Sequence, residues 1–445
     1  MEQVDILYIH PTKSFTDTMY SVMPVGVIAL LNLLKNQGFN VKGINIGIER
    51  SLNSEYSLRH ELKSIDYKAL LLDLHWYEHS YGAIQIAEMS KTVYPHIPVI
   101  IGGYTSTIYA NEILTNFSCI DYVLKGDSEE PISKLLKYII KHAGRLENIP
   151  NISYRSDSVI VNKELTYTCC NIDSLDFCSC GFIKNKDYIY LTSPRGVIKQ
   201  AAKTFWVCMA RGCNYNCTYC CGSKRNAKVL FGRENIVVRS PEIVANDIEL
   251  LTSEGVKIIS PTHDFTMLGE NYYKALFNKL KERGVRVGLY LECFQLPSKE
   301  ILLDIKETFD TRLTRVEISP LTGDEAIRKE NGKLFSNTNL YEILDFMVGN
   351  NINIEIYYSM NLANEDSTTF ARTLNQMKDI IVRYGHTSLR LICRRVVLDP
   401  LAPMRDDKYN ICSHLNKFLD YYNYCKSGDN KYTGYEDKHS DNMSE

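Results

Sequence analysis

Residues 205–222 read FWVCMARGCNYNCTYCCG. Phe205–Met209 is a short apolar run of strand character, and a polar loop follows it at once. That loop carries Cys213, Cys217 and Cys220 at C-x3-C-x2-C spacing. Three thiolates on one loop suit three irons of a cubane 4Fe–4S cluster and leave the fourth iron without a protein ligand. An open iron can bind a small molecule directly. Zinc is the weaker reading, because a structural zinc site closes with four ligands and no second pair of suitable spacing follows. Three unrelated buried thiols remain as the bland alternative. Cys208 reads as a core thiol on the strand, and Cys221 flanks the triad without fitting its spacing.

Downstream of the loop, strands are expected at Phe205–Met209, Lys257–Ser260, Arg286–Leu291, Thr314–Ser319, Asn353–Ser359 and Ser388–Val397. Helical spacing fills the gaps between them, for example at Ile243–Ser253, Tyr272–Arg283 and Lys299–Thr308. Six βα repeats over 204–400 are compatible with a (β/α)6 partial TIM barrel. Upstream, residues 1–145 also alternate: apolar runs near 4–9, 39–46, 69–74, 97–101 and 122–124 are separated by amphipathic stretches. That order predicts a doubly wound, Rossmann-like α/β domain, whose ligands sit beyond the carboxyl ends of its strands. The rim would then comprise His10–Tyr20, Leu74–Tyr81, Gly102–Thr107 and Gly126–Glu130. Residues 146–203 break the rhythm and read as a linker with a small hairpin. It holds Cys169, Cys170, Cys178 and Cys180, four thiols that could grip a second metal or simply bridge two domains. Residues 401–445 read as a barrel cap, including a helical His414–Tyr424, followed by a polar, disordered tail.

Composition bounds the function classes. The 445 residues carry 51 Lys+Arg against 53 Asp+Glu, with 44% hydrophobic residues. Such balance lacks the charge footprint of a dedicated nucleic-acid binder. No secretory leader and no transmembrane run are visible, so a cytoplasmic, membrane-free protein is expected. Fourteen cysteines in that setting point to thiols or metal ligands rather than disulfides.

The cysteine loop, with aromatic Tyr219 just before its last cysteine, resembles the signature of the radical S-adenosylmethionine superfamily. The resemblance implies that Cys213, Cys217 and Cys220 hold the cluster and that S-adenosylmethionine chelates its open iron. It would then be split to a 5′-deoxyadenosyl radical. Thr262 and Asp264, in Ser260–Phe265 after the second barrel strand, fall where relatives contact the methionyl amine; an Asx turn or helix cap is the competing reading. Glu292 ends the third strand. Glu317 and Ser319 share a face of the fourth and stand for the ribose contact, although Ser-Pro-Leu-Thr-Gly replaces the Glu-Ser-Gly run of many relatives. Tyr357, Ser359 and Asn361 share a face of the fifth, with adenine contact and core packing both open.

The first 145 residues resemble the cobalamin-binding domain that precedes the barrel in one class of that superfamily. The resemblance rests on Pro24-Val25-Gly26, on Gly102-Gly103, and on Gly126 within Lys125–Glu129. It implies a corrinoid bound near these glycines and near His75, with His79 and Tyr81 beside it; ordinary turns at the glycines and a satisfied histidine beside packed aromatics are the competing readings. No Asp-x-His-x-x-Gly run is present, which implies a corrinoid without histidine ligation. The whole is similar to a cobalamin-dependent methyltransferase acting on a small molecule or peptide, served by a reductase, flavodoxin or ferredoxin under low oxygen. Radical rearrangement, cyclisation or oxidation without methyl transfer is the alternative within the superfamily. A non-catalytic iron–sulfur or corrinoid carrier is the alternative outside it.

Overall fold

A computed structural model of the chain describes residues 1–13, 23–157, 159–191, 202–396, 398–409, 411–427 and 435–437. Two compact units divide it: 1–201 with 226–234 and 415–430, and 202–225 with 235–414 and 431–445. The rim stretch 14–20 and the expected tail after Lys431 fall largely outside the described residues.

The first unit is built on a seven-stranded sheet. Its strands are β1 (Glu2–His10), β2 (Val41–Asn45), β3 (Ile65–Asp73), β4 (Val99–Gly102), β5 (Tyr122–Leu124), β6 (Ile152–Ser156) and β7 (Val159–Asn162), in the order β2-β1-β3-β4-β5-β6-β7. β1 to β5 pair in parallel. Residues 69–72 (ALLL) are buried throughout, the continuous apolar run of a strand covered on both faces. Helices expected from periodicity stand at Val25–Asn36, Ser80–Val93, Ala110–Asn116 and Glu129–Lys141. Short helices at Ile46–Leu52, Leu58–Ser64 and Tyr104–Ile108 were not expected, since each spans too few turns to show a period. The first two are readable from their caps instead: Asn45 and Ser57 accept hydrogen bonds from the Ile48 and His60 amides.

Two expectations are corrected here. The hairpin of residues 146–203 is no linker, because β6 and β7 extend the sheet antiparallel from β5. The helix Phe418–Ser427 is no barrel cap. Leu415, Phe418 and Tyr421 join the core of the first unit, with Phe418 and Tyr421 stacked against Phe117, Tyr109 and Tyr77. An amphipathic helix has an apolar face in either case, and only the tertiary fold says which core receives it.

The second unit places β8 (Thr204–Val207), β9 (Ala210–Arg211), β10 (Val237–Val238), β11 (Ile258–Pro261), β12 (Gly288–Cys293), β13 (Arg315–Leu321), β14 (Ile354–Met360) and β15 (Leu389–Arg395). Six strands form one parallel sheet ordered β15-β14-β13-β12-β11-β8, and β9 and β10 form a separate small ladder. Alternation along the strands divides the chemistry cleanly. Val316, Ile318, Ile354 and Ile356 are buried on one side, where Tyr358 reaches Gln376 of the helix Ser367–Tyr384 at 2.7 Å. Tyr290, Glu317 and Glu355 take the other side. There Tyr290 Oη reaches Glu355 on β14 at 3.1 Å, two strands away, as the concave face of a curled sheet allows.

Candidate active site

The cysteine loop leaves the carboxyl end of β8. A histidine that the sequence reading passed over fixes where the loop begins. His263 Nε2 lies 2.8 Å from the Gly212 carbonyl and its Nδ1 lies 2.9 Å from Thr262 Oγ1. Facing a carbonyl, Nε2 must carry the proton, so Nδ1 accepts from the Thr262 hydroxyl. Burial holds this imidazole below its usual pKa, which keeps that neutral tautomer. Thr262 Oγ1 also accepts from the Met209 amide at 3.1 Å. The first residues of the loop are therefore tied to the end of β11.

Within the loop, two sulfurs accept backbone hydrogen bonds. Tyr215 N donates to Cys213 Sγ at 3.4 Å, and Gly222 N donates to Cys220 Sγ at 3.2 Å. Such donors favour thiolate over thiol, the form in which cysteine binds metal. Burial, with Asp399 beside it, pushes the Cys220 thiol up to about 12, and burial raises Cys213 as well. Iron must therefore displace protons from these sulfurs when it binds. Gly332 closes the loop from behind. Its φ is +92°, and a Cβ there would stand 3.1 Å from both Cα and Sγ of Cys217. Tyr219 hydrogen-bonds toward Cys217, and burial pushes its phenol well above the ordinary range. Among the described residues no three His, Cys, Asp or Glu side chains converge as on a single ion. A cubane asks instead for one sulfur per iron, which a loop of this spacing supplies.

Lys333, next to Gly332, is a second residue missed in the sequence. It is 4% exposed, and its Nζ donates to the Phe294 carbonyl at 2.7 Å. Burial lowers its pKa, while Cys217, Asp264, Cys293 and Glu292 act in the opposite direction. A buried ammonium facing the middle cysteine is the counter-charge that an anionic thiolate cluster needs. Its signal in the sequence, a Gly-Lys pair after a short helix, is too common to have been read.

The expected adenosyl contacts divide. Asp264 caps the helix Phe265–Leu268 through Thr266 N at 2.9 Å, and its other oxygen takes Phe294 N at 2.8 Å. The cap reading is the one the structure shows for this carboxylate. Glu292 and Glu317 stand opposite each other on β12 and β13, and Glu317 is in turn opposite Glu355 on β14. Glu317 accepts from Tyr290 Oη and from Ser319 Oγ. Ser260 Oγ, on the same concave face, is buried without a hydrogen-bond partner. Asn361 lies past the end of β14 at φ +65°, so it leaves the face shared by Tyr357 and Ser359.

In the first unit the carboxyl rim is polar and aromatic. Tyr8 Oη and His10 Nδ1 lie 2.6 and 2.9 Å from Asp73 Oδ1. Burial alone would raise Asp73, but His10 beside it holds the carboxylate below its usual range. Burial drops His75 to about 4 and His79 to about 3. His75 sits edge-on to Trp76 and Tyr104, with ring centroids 4.8 and 5.2 Å away. Chain packing also calls for two of the three glycines. A Cβ on Gly103 would meet the Leu74 carbonyl at 2.7 Å, one on Gly126 the Leu230 oxygen at 3.0 Å, and one on Gly102 would only touch Leu124. Asp73 Oδ2, however, is buried without a hydrogen-bond partner, the kind of group that an amide-fringed corrinoid can satisfy.

The four cysteines of residues 169–180 are placed differently. Cys178 and Cys180 are buried in the first unit, and Cys170 is exposed. Asp176 Oδ1 takes the Cys178 and Ser179 amides, and Asn32 Nδ2 donates to the Asp176 and Ser179 carbonyls. The backbone of the segment is anchored by these side chains.

A Rossmann-type sheet joined to a six-stranded parallel barrel with a three-cysteine loop on its first strand defines the class of cobalamin-binding radical enzymes. Two family models match the chain, the B12 binding domain over residues 16–136 and the radical SAM superfamily over 207–371. The chain belongs to the radical S-adenosylmethionine superfamily, in the class with an amino-terminal B12-binding domain. The cofactors of that class are a 4Fe–4S cluster, S-adenosylmethionine and cobalamin. Among solved structures it is similar to the radical S-adenosylmethionine methyltransferase TsrM of Kitasatospora setae with cobalamin and [4Fe-4S] cluster bound. That match has a TM-score of 0.69 at 13% identity and covers 95% of this chain and 81% of that one. It is also similar to the cobalamin-dependent radical enzyme OxsB with aqua-cobalamin and S-adenosylmethionine bound, with a TM-score of 0.59 at 13% identity over 96% of this chain and 56% of that one. At these identities the likeness is one of fold. Among curated proteins, an uncharacterized methyltransferase of Pyrococcus horikoshii is 25% identical over 47% of this chain and 42% of that protein. An anaerobic magnesium-protoporphyrin IX monomethyl ester cyclase of Cereibacter sphaeroides is 28% identical over 39% of this chain and 26% of that protein. The aligned region thus spans less than half the length of these curated relatives.

Proposed function

We propose that this chain is a cobalamin-dependent radical S-adenosylmethionine methyltransferase that methylates a carbon of a small molecule or peptide in an oxygen-poor cytoplasm. The observation that carries the reading is the three-cysteine loop, two of its sulfurs held by backbone N–H groups at the mouth of a barrel, in one chain with a B12-type sheet. When bound, the cluster supplies reductive cleavage of S-adenosylmethionine and the corrinoid supplies the methyl carrier.

The chain's own residues bind and orient. Cys213, Cys217 and Cys220 hold three irons, the Tyr215 and Gly222 amides steady the thiolates, and the Lys333 ammonium offsets their charge. Tyr219 and Thr262 shape the loop on which S-adenosylmethionine would sit, with Asp264 fixing the neighbouring turn. Glu292, Glu317 and Ser319 offer acceptors for its ribose hydroxyls from the concave face. Gly102, Gly103, Gly126 and His75 form the rim assigned to cobalamin, with His75 neutral at pH 7. The polar floor of Tyr290, Glu317 and Glu355 suits a substrate bearing hydrogen-bond donors. The TsrM structure with tryptophan substrate and a SAM analog bound supports a small-molecule substrate.

The similarity to anaerobic cyclases favours a second reading, radical oxidation or cyclisation without methyl transfer. Anaerobic reconstitution with iron, sulfide, cobalamin, S-adenosylmethionine and dithionite separates them. S-Adenosylhomocysteine is expected under the first reading, and 5′-deoxyadenosine alone under the second. Formation of neither compound overturns both.

A further inference from the structure

Buried cations in this chain are normally answered by their neighbours. Arg233 and Arg239 are ion-paired with Asp127 and Asp247. Arg328 donates to the Pro320, Thr322 and Phe335 carbonyls, and Lys125 Nζ to Asn162 Oδ1 at 2.6 Å and to the Lys163 carbonyl. Lys333 is different. It is buried too, yet it makes no ion pair among the described residues, and only one of its three N–H donors is used, on the Phe294 carbonyl. A buried ammonium in that state is costly unless an anion stands beside it.

Its position is fixed from two directions. Gln295 brackets it, with Nε2 donating to the Gly332 carbonyl at 2.8 Å and Oε1 accepting from Leu334 N at 2.9 Å. Phe294 and Gln295 directly follow β12, so the ammonium is tied to the end of that strand. On its other side the same segment is pressed against the cysteine loop. Thr218 Oγ1 donates to Asn331 Oδ1, and a Cβ on Gly332 would approach the Cys217 sulfur to 3.1 Å. Burial lowers the Lys333 pKa, and of the groups that act the other way Cys217 comes first, ahead of Asp264, Cys293 and Glu292. The Asp264 carboxylate is already engaged by the Thr266 and Phe294 amides. Backbone amides serve Cys213 and Cys220, and Lys333 stands by the third sulfur.

We propose that Lys333 is the fixed counter-ion of the cluster and raises its reduction potential by stabilising the more negative reduced state. The inference rests on the cluster reading above and deepens it. Reduction brings in one electron from a low-potential one-electron donor and moves no proton, so it adds one negative charge beside the ammonium. Net charge, hydrogen bonds to sulfur and solvent exposure set iron–sulfur potentials. A charge held in a low-dielectric interior acts more strongly than the same charge in water.

The test is a redox titration of the full chain with its cluster reconstituted, using dithionite and mediator dyes and read by the EPR signal of the reduced cluster. S-Adenosylmethionine and cobalamin are left out, so that the cluster alone is measured. Lys333→Met removes charge and donor, Lys333→Gln removes the charge but can keep the Phe294 hydrogen bond, and Lys333→Arg keeps the charge. At a fixed applied potential, both neutral variants should show a reduced-to-oxidised ratio roughly tenfold or more below the native chain, a midpoint about 59 mV or more lower for a one-electron couple. Lys333→Arg should titrate close to the native chain. Neutral variants that load the cluster and titrate like the native chain overturn the proposal, as does a shift in the methionine variant alone. Where both neutral variants fail to hold iron, retention by Lys333→Arg supports the charge, and loss in all three overturns it. If the native cluster is reduced but S-adenosylmethionine added afterwards is left intact, the proposed function fails and the Lys333 result still stands.

Discussion

Cys213, Cys217 and Cys220 and the group at 169, 170, 178 and 180 are the same side chain in different backbone surroundings. On the barrel loop backbone amides point at two of the sulfurs, those of Cys213 and Cys220. In the first unit two sulfurs point at carbonyls instead, Cys169 Sγ at the Asn171 carbonyl at 3.3 Å and Cys170 Sγ at the Thr168 carbonyl at 3.5 Å. An amide aimed at sulfur favours the thiolate, and a carbonyl aimed at it favours the thiol. Number and proximity of cysteines do not make a metal site; the groups around the sulfurs matter as well.

That contrast can be broken outright. Replacing Cys213, Cys217 and Cys220 by alanine should abolish bound iron and the brown colour of the reconstituted protein. Replacing Cys169, Cys170, Cys178 and Cys180 by alanine should leave the iron content per chain unchanged. Iron that survives the first set, or vanishes with the second in a folded protein, removes the distinction.

A glycine pair sharpens it next. Gly332 and Gly284 both lie at positive φ, +92° and +66°, but a Cβ at Gly284 meets nothing within 4 Å. Gly284→Ala should cost about 1 kcal/mol of backbone strain and leave cluster loading intact. Gly332→Ala adds the contact with Cys217 and should also lower cluster occupancy several-fold, read by iron analysis beside thermal unfolding. Equal occupancy in the two variants would mean that Gly332 does not shape the cysteine loop.

Proton chemistry distinguishes the two units as well. His75 and His79 have folded pKa values of about 4 and 3, below the ordinary 6.5. The unfolded chain therefore binds protons that the folded one refuses, and stability rises with pH in that interval. Their contribution is complete above pH 6.5 and declines as pH falls toward 4 and 3, by up to about 1.4 kcal/mol per pH unit for each histidine. The first unit should lose hydrogen-exchange protection between pH 6.5 and 4, and a His79→Gln variant should flatten the slope. A native slope of zero would remove the buried-neutral assignment.

The smallest effect expected is at the cysteines of the first unit. Cys178→Ala should cost roughly 1 kcal/mol as a buried truncation, and exposed Cys170→Ala should stay within about 0.5 kcal/mol of the native chain in denaturant titrations.

Much of the fold was legible because its signals are local. The six barrel strands appear within a few residues of where apolar runs end in loops, and the cysteine spacing needs no partner from elsewhere in the chain. The hairpin at 152–162 was readable as a hairpin, but its pairing with β5 was not, since an edge strand looks the same whether or not a sheet receives it. At the site, Glu317 and Ser319 were assigned to the concave face from alternation alone. His263 and Lys333 were missed because a lone histidine after a strand and a Gly-Lys pair after a helix carry no period and no motif. The glycines of the first unit were legible as necessary, but their packing role was not. What fills the missing Cβ space at Gly103 is the backbone of residues 74 and 75, which no local pattern reports.

By itself the sequence determined the two α/β halves and proposed the three loop cysteines as cluster ligands, because periodicity and close spacing are properties of neighbouring residues. Only the tertiary structure decided which sulfurs meet backbone amides and which meet carbonyls. It alone placed the helix Phe418–Ser427 in the core of the first unit and the Lys333 ammonium facing Cys217. Each of those outcomes depends on burial and on partners brought from distant parts of the chain, and burial is what turns an ordinary thiol, imidazole or ammonium into one with a role.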